Sequence, residues 1–360
     1  MKTKQLLWNC ALLGFVLGSI ACAPKSEPDA RNASTVHDNY KDLQAALDVA
    51  QPGDVIEFTG TIHGTLETKT DGTVSMPITV RGVGDATIEG PGVSSDAYGV
   101  HCEHDWYVFE NFVISNSRKG FVAQHQADNG IIRAVTVDSV GNEAFKFRWN
   151  SRYWLVEDCV VRDTGKHSNT YGEGYYVGNA DNNWTDSNTP DASGYVTFLN
   201  CHAENLVNDG FDIKEGASHV KIIGCTIDFT KGQPVGSAPM GDSGIYLRAD
   251  HIQVINTRVI GQSNGGGAIK LQRENKADDG NAYGGNYELY GMTIRQTSGG
   301  SALLNLTNQK AALNSTVLYD NYTLHGGVLF VDRSATVPSR KPGEFTEMTW
   351  DGPGGAAYLP

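Results

Sequence analysis

The chain has 360 residues, enough for one large domain or two ordinary ones, so the size of the core is not limiting. Glycine contributes 42 residues, while long helical stretches rich in Leu, Ala, Glu and Lys are almost absent. This composition favours many short strands joined by turns. The formal net charge of −13 repels nucleic acid and other acidic polymers at long range, so we expect no nucleic-acid partner, and an acidic ligand would need a local cluster of cations.

The N-terminal segment has the features of an export signal. Lysines precede an apolar run that is too short and wrongly flanked for a membrane-spanning helix. We interpret residues 1–21 as a lipoprotein-type signal peptide with Cys22 as the candidate lipidation site, and cleavage after Ala23 is the alternative. Residues 22–38 are then a polar tether. The protein is expected in the periplasm or at the outer membrane of a bacterium, or secreted, with a lipid anchor as its one contact with a membrane.

The first structured elements are predicted in residues 42–58, DLQAALDVAQPGDVIEF. The spacing of the apolar residues predicts a short amphipathic helix, followed by a turn at PGD and then a strand. Such a helix can cover the open apolar end of a stack of strands.

Seven later segments share one pattern: ENFVI, RAVTV, EDCVV, LNCHA, IGCTI, INTRV and YGMTI. Their third residues are Phe112, Val135, Cys159, Cys201, Cys225, Thr257 and Met292, at successive spacings of 23, 24, 42, 24, 32 and 35 residues. A base period near 24, built on short strands with insertions, predicts a solenoid. The cysteines, which could in principle pair as disulfides, are expected instead to form an inward column of small apolar side chains.

Each of the first six segments is followed by a second strand: GFVAQ, AFKFR, GYYVG, GFDIK, GIYLR and AIKLQ. Coils made of strand, turn, strand and turn are typical of a parallel β-helix. We therefore predict an all-β parallel β-helix over residues 39–332 with the short helix as its N-terminal cap. Residues 333–360 lack the repeat and are expected to form a tail that packs on the solenoid.

Alternation within the second strands assigns their two faces. The apolar pairs predicted to point inward are Phe145/Phe147, Tyr175/Val177, Phe211/Ile213, Ile245/Leu247 and Ile269/Leu271. The outward positions form two polar columns, the first made of Lys146, Tyr176, Asp212, Tyr246 and Lys270 and the second of Arg148, Gly178, Lys214, Arg248 and Gln272. Adjacent coils lie about 4.8 Å apart, so the two columns are expected to form one continuous, exposed surface.

The polar columns concentrate five cations and two tyrosines in a chain of net charge −13. The polar exterior of a solenoid is ordinarily a solvated face, but this concentration suits an acidic polysaccharide better. Gly178 leaves a gap where a ligand could approach the backbone. Coil insertions at 178–195 and 230–243 could wall a groove on either side.

Cleavage of a uronate polymer by β-elimination requires three groups. A cation must neutralise the C5 carboxylate group, a base must remove the C5 proton, and an acid must protonate the leaving O4. Lys214 and Tyr176 lie in adjacent coils and are the candidate acid–base pair, in an order that the sequence leaves open. Arg248 or Arg148 could hold the carboxylate. The remaining candidate substrate ligands are Lys146, Asp212, Tyr246, Lys270, Glu173 and His167.

Two motifs carry a family resemblance. GEGYYVGNADNNW (172–184), followed by GFDIKEGA (210–217), resembles the motif pair of family-31 polysaccharide lyases. The resemblance implies a right-handed parallel β-helix and an alginate lyase without a cofactor, with Tyr176 and Lys214 as the catalytic pair. One coil later DSGIYLR (242–248) stands where relatives often carry DSW-x-DVK, which leaves the preferred sugar open.

A calcium-dependent lyase is the first alternative. NDGFD (208–212) also resembles the calcium-binding coil of family-9 pectate lyases. Glu173, Asp209 and Asp212 would then supply oxygen ligands to Ca²⁺. In that family a catalytic Lys stacks one coil beyond the last Asp, and this chain has Tyr246 there.

Two further alternatives remain. YGVHCEHD (98–105) resembles a motif of alginate C5-epimerases, with His101 in place of the catalytic Asp. A non-catalytic glycan-binding β-helix would bind the polymer tightly without releasing a product. A monomer is expected.

Overall fold

The computed structural model describes residues 35–168, 170–184, 189–231, 243–261 and 267–275, and the shorter segments 282–290, 292–295, 302–308, 317–320, 322–325, 328–332 and 348–350. Within these residues the chain runs in successive coils that build three parallel sheets. The predicted parallel β-helix is therefore confirmed. The predicted signal peptide 1–21 and Cys22 lie outside the described residues, and no helix within them is long and apolar enough to cross a membrane.

Strands are numbered in chain order. Sheet 1 contains β1 (Val36–His37), β2 (Val55–Phe58), β5 (Ile78–Gly82), β8 (Tyr107–Glu110), β11 (Ile131–Arg133), β14 (Leu155–Glu157), β17 (Thr197–Leu199), β20 (Ser218–Ile223), β23 (Asp250–Ile255), β27 (Gly285–Tyr290) and β30 (Val317–Asp320). Sheet 2 contains β4 (Leu66–Glu67), β7 (Tyr98–Cys102), β10 (Lys119–Ala123), β13 (Phe145–Phe147), β16 (Tyr175–Val177), β19 (Phe211–Ile213), β22 (Ile245–Leu247), β25 (Ile269–Asn275), β29 (Ala302–Asn308) and β32 (Val328–Asp332), and β26 (Ala282–Tyr283) pairs with β25. Sheet 3 contains β3 (Thr61–His63), β6 (Thr87–Glu89), β9 (Val113–Ser115), β12 (Thr136–Asp138), β15 (Val160–Arg162), β18 (His202–Glu204), β21 (Thr226–Asp228), β24 (Arg258–Ile260), β28 (Thr293–Arg295), β31 (Tyr322–His325) and β33 (Met348–Trp350).

Helix α1 (Tyr40–Asp48) precedes the first complete coil, as the sequence predicts. The side chain of Asn39 caps it by accepting a hydrogen bond from the backbone N–H of Asp42 at 3.0 Å. Leu43 and Leu47 are buried and belong to the main apolar core. The helix therefore covers apolar surface that the first coil would otherwise expose to water.

The corner between sheets 1 and 3 contains the predicted inward column. Cys159, Cys201 and Cys225 are buried, and so are the residues at the equivalent position of other coils, Phe112, Val135, Thr257 and Met292. In several coils the preceding residue has a positive φ, as at Asn111, Asp158 and Asn200, and Asn and Asp tolerate this conformation better than most residues. The buried cysteines of the column are free thiols, which confirms the structural interpretation.

Strands extend beyond both predicted ends of the solenoid. Strand β1 lies within the segment expected to be a tether and pairs in parallel with β2. Strand β33 lies within the expected tail and pairs in parallel with β31, so it adds one more strand to sheet 3. The rest of residues 333–360 lies outside the described part of the chain.

Candidate active site

The outward face of sheet 2 carries the first polar column in the predicted register. Tyr176 pairs with Lys146 on one side and with Asp212 on the other, and Tyr246 pairs with Asp212 and Lys270. The apolar residues between them point into the core and are buried, as predicted. The strands thus bring the candidate catalytic residues into adjacent coils.

The expectation that this face is exposed is wrong. Tyr176 is only 6 % exposed, Lys214 8 % and Asp212 1 %. These side chains line a cavity of about 600 Å³ instead of a flat surface. Its walls come from loop residues beside the columns, including Thr170, Tyr171, Asn179, Ala180, Asn182, Asn183 and Asn208. Of the insertions predicted to wall the groove, residues 185–188 and 232–242 lie outside the described part.

Tyr176 lies beside two lysine ammonium groups. Lys146 Nζ is 4.0 Å and Lys214 Nζ is 4.8 Å from the centroid of its ring. Burial raises the pKa of Tyr176 well above its ordinary value, and the charges of Asp212 and Glu173 add to the effect. These effects favour the protonated phenol of Tyr176.

Asp212 joins the two polar columns. Its carboxylate lies 2.6 Å from Lys214 Nζ and accepts hydrogen bonds from Arg248 Nη2 at 2.8 and 3.1 Å. Arg248 Nη1 is also 3.4 Å from Glu215, which the sequence analysis missed. Burial alone would raise the pKa of Asp212, but Arg248 and Lys214 outweigh burial and lower it. Asp212 therefore positions both cations.

Gly178 allows its coil to approach Lys214 of the neighbouring coil closely. Its φ is +89°, a conformation that favours glycine, and an added Cβ would lie 3.2 Å from the Lys214 Cβ. The gap expected at this position in the second column is therefore used for close contact between coils.

A second ion-pair group, which the sequence analysis also missed, borders Tyr176 on the other side. Glu143 is buried between Lys146, at 2.7 Å, and Lys119. Burial, together with the charges of Lys119 and Arg148, lowers the pKa of Lys146 to about 8, although Glu143 opposes the change. Lys146 is thus a cation whose charge can change near the upper end of the physiological pH range.

Three buried carboxylates lie together at one end of the cavity. Each of Glu173, Asp209 and Asp212 offers an oxygen within 4.8 Å of the others. Burial and the charges of Glu143 and Asp212 raise the pKa of Glu173 to about 7, against the opposing charge of Lys214. The hard oxygen donors would suit Ca²⁺. Like charges on three neighbouring carboxylates repel one another. A proton on Glu173 relieves this repulsion, as a bound cation would.

Of the other predicted substrate ligands, one lines the cavity and two lie outside it. Arg148 lines the cavity and donates two hydrogen bonds to Gln124 Oε1, at 2.7 and 2.9 Å. Lys270 extends the first column beyond the cavity, with its Nζ 4.0 Å from the Tyr246 ring centroid. His167 does not join the site, because its exposed side chain contacts Ser94 Oγ at 3.3 Å.

No protein-family model matches the sequence, and no curated protein matches it. Solved structures do share the fold. An alginate lyase from Paenibacillus sp. str. FPU-7 superposes with a TM-score of 0.69 and 21% identity, over 87% of this chain and 98% of that one. Pectate lyase Pel9A superposes with a TM-score of 0.56 and 13% identity, over 82% and 72%. A GH136 lacto-N-biosidase from Eubacterium ramulus superposes with a TM-score of 0.50 and 12% identity, over 86% and 63%.

The likeness defines a fold: this chain has the parallel β-helix that alginate and pectate lyases also have. A lacto-N-biosidase shares it, so the fold alone does not decide the reaction. Membership of family 31 stays a prediction that depends on the two sequence motifs. The side chains of the cavity must carry the functional argument.

Proposed function

We propose that the protein is a polysaccharide lyase that cleaves a uronic-acid polymer, alginate above others, by metal-independent β-elimination. One observation carries the proposal: the ring of Tyr176 lies near the ammonium groups of both Lys146 and Lys214, and all three side chains are buried in the lining of one cavity. In a chain of net charge −13, this local cluster of cations matches an anionic substrate.

The reaction would proceed as follows. A base removes the C5 proton of the uronate, and the electrons of that C–H bond form the C4–C5 double bond. The bond from C4 to the glycosidic oxygen breaks, and an acid protonates that oxygen. Tyr176 enters the reaction protonated because burial raises its pKa, which suits the acid role at O4. Lys214 is then assigned the base role: its ammonium passes one proton to solvent, and the neutral amine takes the C5 proton.

Carboxylate neutralisation is assigned to Arg248 and Lys146. Arg248 is held by Asp212 and Glu215, so its position is fixed before the substrate arrives. Lys146 lies in the coil on the other side of Tyr176 from Asp212, and its ammonium group is held by the Glu143 carboxylate. A fixed cation stabilises the enolate-like charge that develops on the carboxylate as the C5 proton leaves.

The test is a cleavage assay on several acidic polysaccharides. Mature protein is dialysed against EDTA and mixed with mannuronate-rich alginate, guluronate-rich alginate, pectate and glucuronan. A rise in ultraviolet absorbance from the C4–C5 double bond, strongest on alginate, is expected. Conversion of mannuronate to guluronate without that rise would identify an epimerase, and retention of the polymer without any change would identify a binding protein.

A calcium-dependent lyase is the second candidate, and the carboxylate cluster of Glu173, Asp209 and Asp212 favours it. Against it, Asp212 already contacts both Lys214 and Arg248, which neutralise it without a metal. Calcium added to the EDTA-treated protein separates the two cases. Activity that appears only with Ca²⁺, together with a raised unfolding midpoint that Glu173→Gln abolishes, would establish the calcium site.

The predicted export signal and tether agree with this proposal, because an intact polysaccharide is met outside the cytoplasm. Export, lipid attachment at Cys22 and a monomeric state therefore accompany the proposed function as predictions.

A further inference from the structure

The second polar column continues beyond the cavity toward the N-terminal coils. Strands β7, β10 and β13 pair in register, with Cys102 opposite Ala123 and Ala123 opposite Phe147. The residue that follows each of these three, Glu103, Gln124 and Arg148, therefore lies in line with Lys214 and Arg248. The row extends two coils past the cavity residue Arg148.

A chain of hydrogen bonds connects this row. Gln124 accepts from Arg148 through Oε1 and donates to Glu103 Oε1 at 2.7 Å. Glu103 Oε1 is also 2.6 Å from His125 Nδ1 and 3.0 Å from His101 Nε2. Tyr98 accepts a hydrogen bond from Arg148 Nη2 at 2.8 Å. These contacts fix polar groups of three coils in one arrangement before any ligand binds.

We call the group of Tyr98, His101, Glu103, Gln124 and His125 the Glu103 network. Gln124 is buried, and the other four side chains are at least partly exposed to solvent. The side chain of His125 is 54% exposed and that of Glu103 is 36% exposed. Within the described residues, the contacts of the Glu103 carboxylate all use Oε1, which leaves Oε2 to accept from a hydroxyl group.

Stacking fixes the orientation of His125. Its ring lies 4.4 Å from the ring of Trp149 at an angle of 13°. The guanidinium of Arg148 lies 4.0 Å from the same indole. Because Arg148 and Trp149 both line the cavity, the Glu103 network and the cavity belong to one continuous surface.

We propose that the Glu103 network is a second substrate-binding region. It would hold further sugar units of the same uronate chain, where that chain extends from the cavity over the N-terminal coils of the solenoid. This inference rests on the proposed function. The coil spacing of about 4.8 Å is close to the length of one pyranose unit, so each coil can serve one sugar. Arg148 would bind a carboxylate, while Glu103 and the two imidazoles would bind hydroxyl groups.

The test compares long and short substrates. His125→Ala and Glu103→Ala are assayed on the polymer and on the shortest oligosaccharide that the enzyme cleaves. On the polymer we expect KM to rise about five- to tenfold with kcat nearly unchanged, because the lost contacts bind ground state and transition state alike. On the shortest oligosaccharide, which does not reach the network, both constants should match those of the wild type.

His251→Ala is the matched control. The His251 side chain is also 54% exposed, lies 3.2 Å from an aspartate and stacks on another ring, His219, at 4.7 Å. It lies on sheet 1, and its loss should change neither constant. An unchanged KM of His125→Ala on the polymer would overturn the inference. So would an equal loss on both substrates, since that would mean that the network only supports Arg148.

A binding measurement separates this inference from the proposed function. Migration of each variant is measured in native gels that contain alginate or pectate. If the wild type cleaves no polymer but is retarded, weaker retardation of His125→Ala and Glu103→Ala alone still supports the binding region. Equal retardation of all variants, or no retardation of the wild type, overturns it.

Discussion

At the cavity, the two faces of sheet 2 differ in chemistry although the side chains on both are largely hidden from water. In strand β19, Phe211 and Ile213 point into an apolar core, while Asp212 between them is 1% exposed and contacts Lys214 and Arg248. The inward face is stabilised by burial of apolar area, which does not depend on direction. The outward face requires a partner for each charge, because a buried unpaired ion is strongly unfavourable.

The difference indicates what each face contributes. Apolar residues of similar volume would fill the inward face about as well. Buried ion pairs such as Asp212–Lys214 often stabilise a fold no better than apolar packing would, so their presence in the outward cavity points to chemistry. Substitutions on the two faces should therefore have different effects on stability and on activity.

Removal of Asp212 should have the largest effect on stability. Asp212→Ala leaves Lys214 and Arg248 buried without their shared carboxylate, and we expect the free energy of unfolding to fall by about 3–5 kcal/mol. Urea denaturation followed by circular dichroism measures the change. Asp138→Ala, on sheet 3, is the control and should shift stability by less than about 1 kcal/mol. Equal midpoints for the two variants would mean that the charge cluster is not held as described.

Glu173 should make stability depend on pH. Its folded pKa of about 7 exceeds the ordinary value of 4.5, so the stability that comes from its protonated form is complete below pH 4.5 and is lost as the pH rises through 7. Glu173→Gln keeps a neutral side chain at every pH. Relative to wild type, this variant should be nearly as stable at pH 4 and more stable at pH 8 by about 3 kcal/mol. A difference that is constant between pH 4 and pH 8 would contradict the raised pKa.

On the inward face, Phe145→Leu should lower the free energy of unfolding by about 1–2 kcal/mol, since the smaller side chain leaves unfilled volume between Phe121 and Tyr175. The value of kcat should stay within about twofold of wild type, because no atom of Phe145 faces the cavity. A large loss of kcat with little loss of stability would show that the two faces are coupled through the strand.

The smallest effect is expected from reductant. The four cysteines among the described residues are free and buried, so dithiothreitol has no bond to break and should leave the thermal midpoint unchanged. A fall of several degrees in the presence of dithiothreitol would reveal a disulfide and contradict the apolar cysteine column.

The repeat and the register of the polar columns could be predicted because both depend on local rules. The period near 24 follows from one coil per repeat, and alternation in β16 and β19 places Tyr176 opposite Asp212. The first and last strands could not be predicted, because β1 and β33 lie outside the repeat by which strands of similar length are recognised elsewhere in the chain.

Burial of the polar columns was not predictable from the sequence. It depends on how loops from several coils meet above the sheet, and the length of an insertion does not fix its path. Glu143 and Glu215 were missed for a related reason, since they lie just outside the aligned strands and their partners come from other segments. One signal was available in the sequence. Each of these glutamates lies directly beside a strand segment that contains a lysine, so an ion pair could have been expected.

The measurement that tests the central claim most directly is the ultraviolet absorbance of alginate treated with EDTA-dialysed wild type, Tyr176→Phe and Lys214→Met. We expect a steady rise with wild type. In each variant the rate should fall at least about a thousandfold while the circular dichroism spectrum stays native. Tyr153→Phe and Lys221→Met, on other surfaces, should retain the wild-type rate. A wild-type rate in either cavity variant, or a rise that requires added Ca²⁺, would contradict the metal-independent Tyr176–Lys214 mechanism.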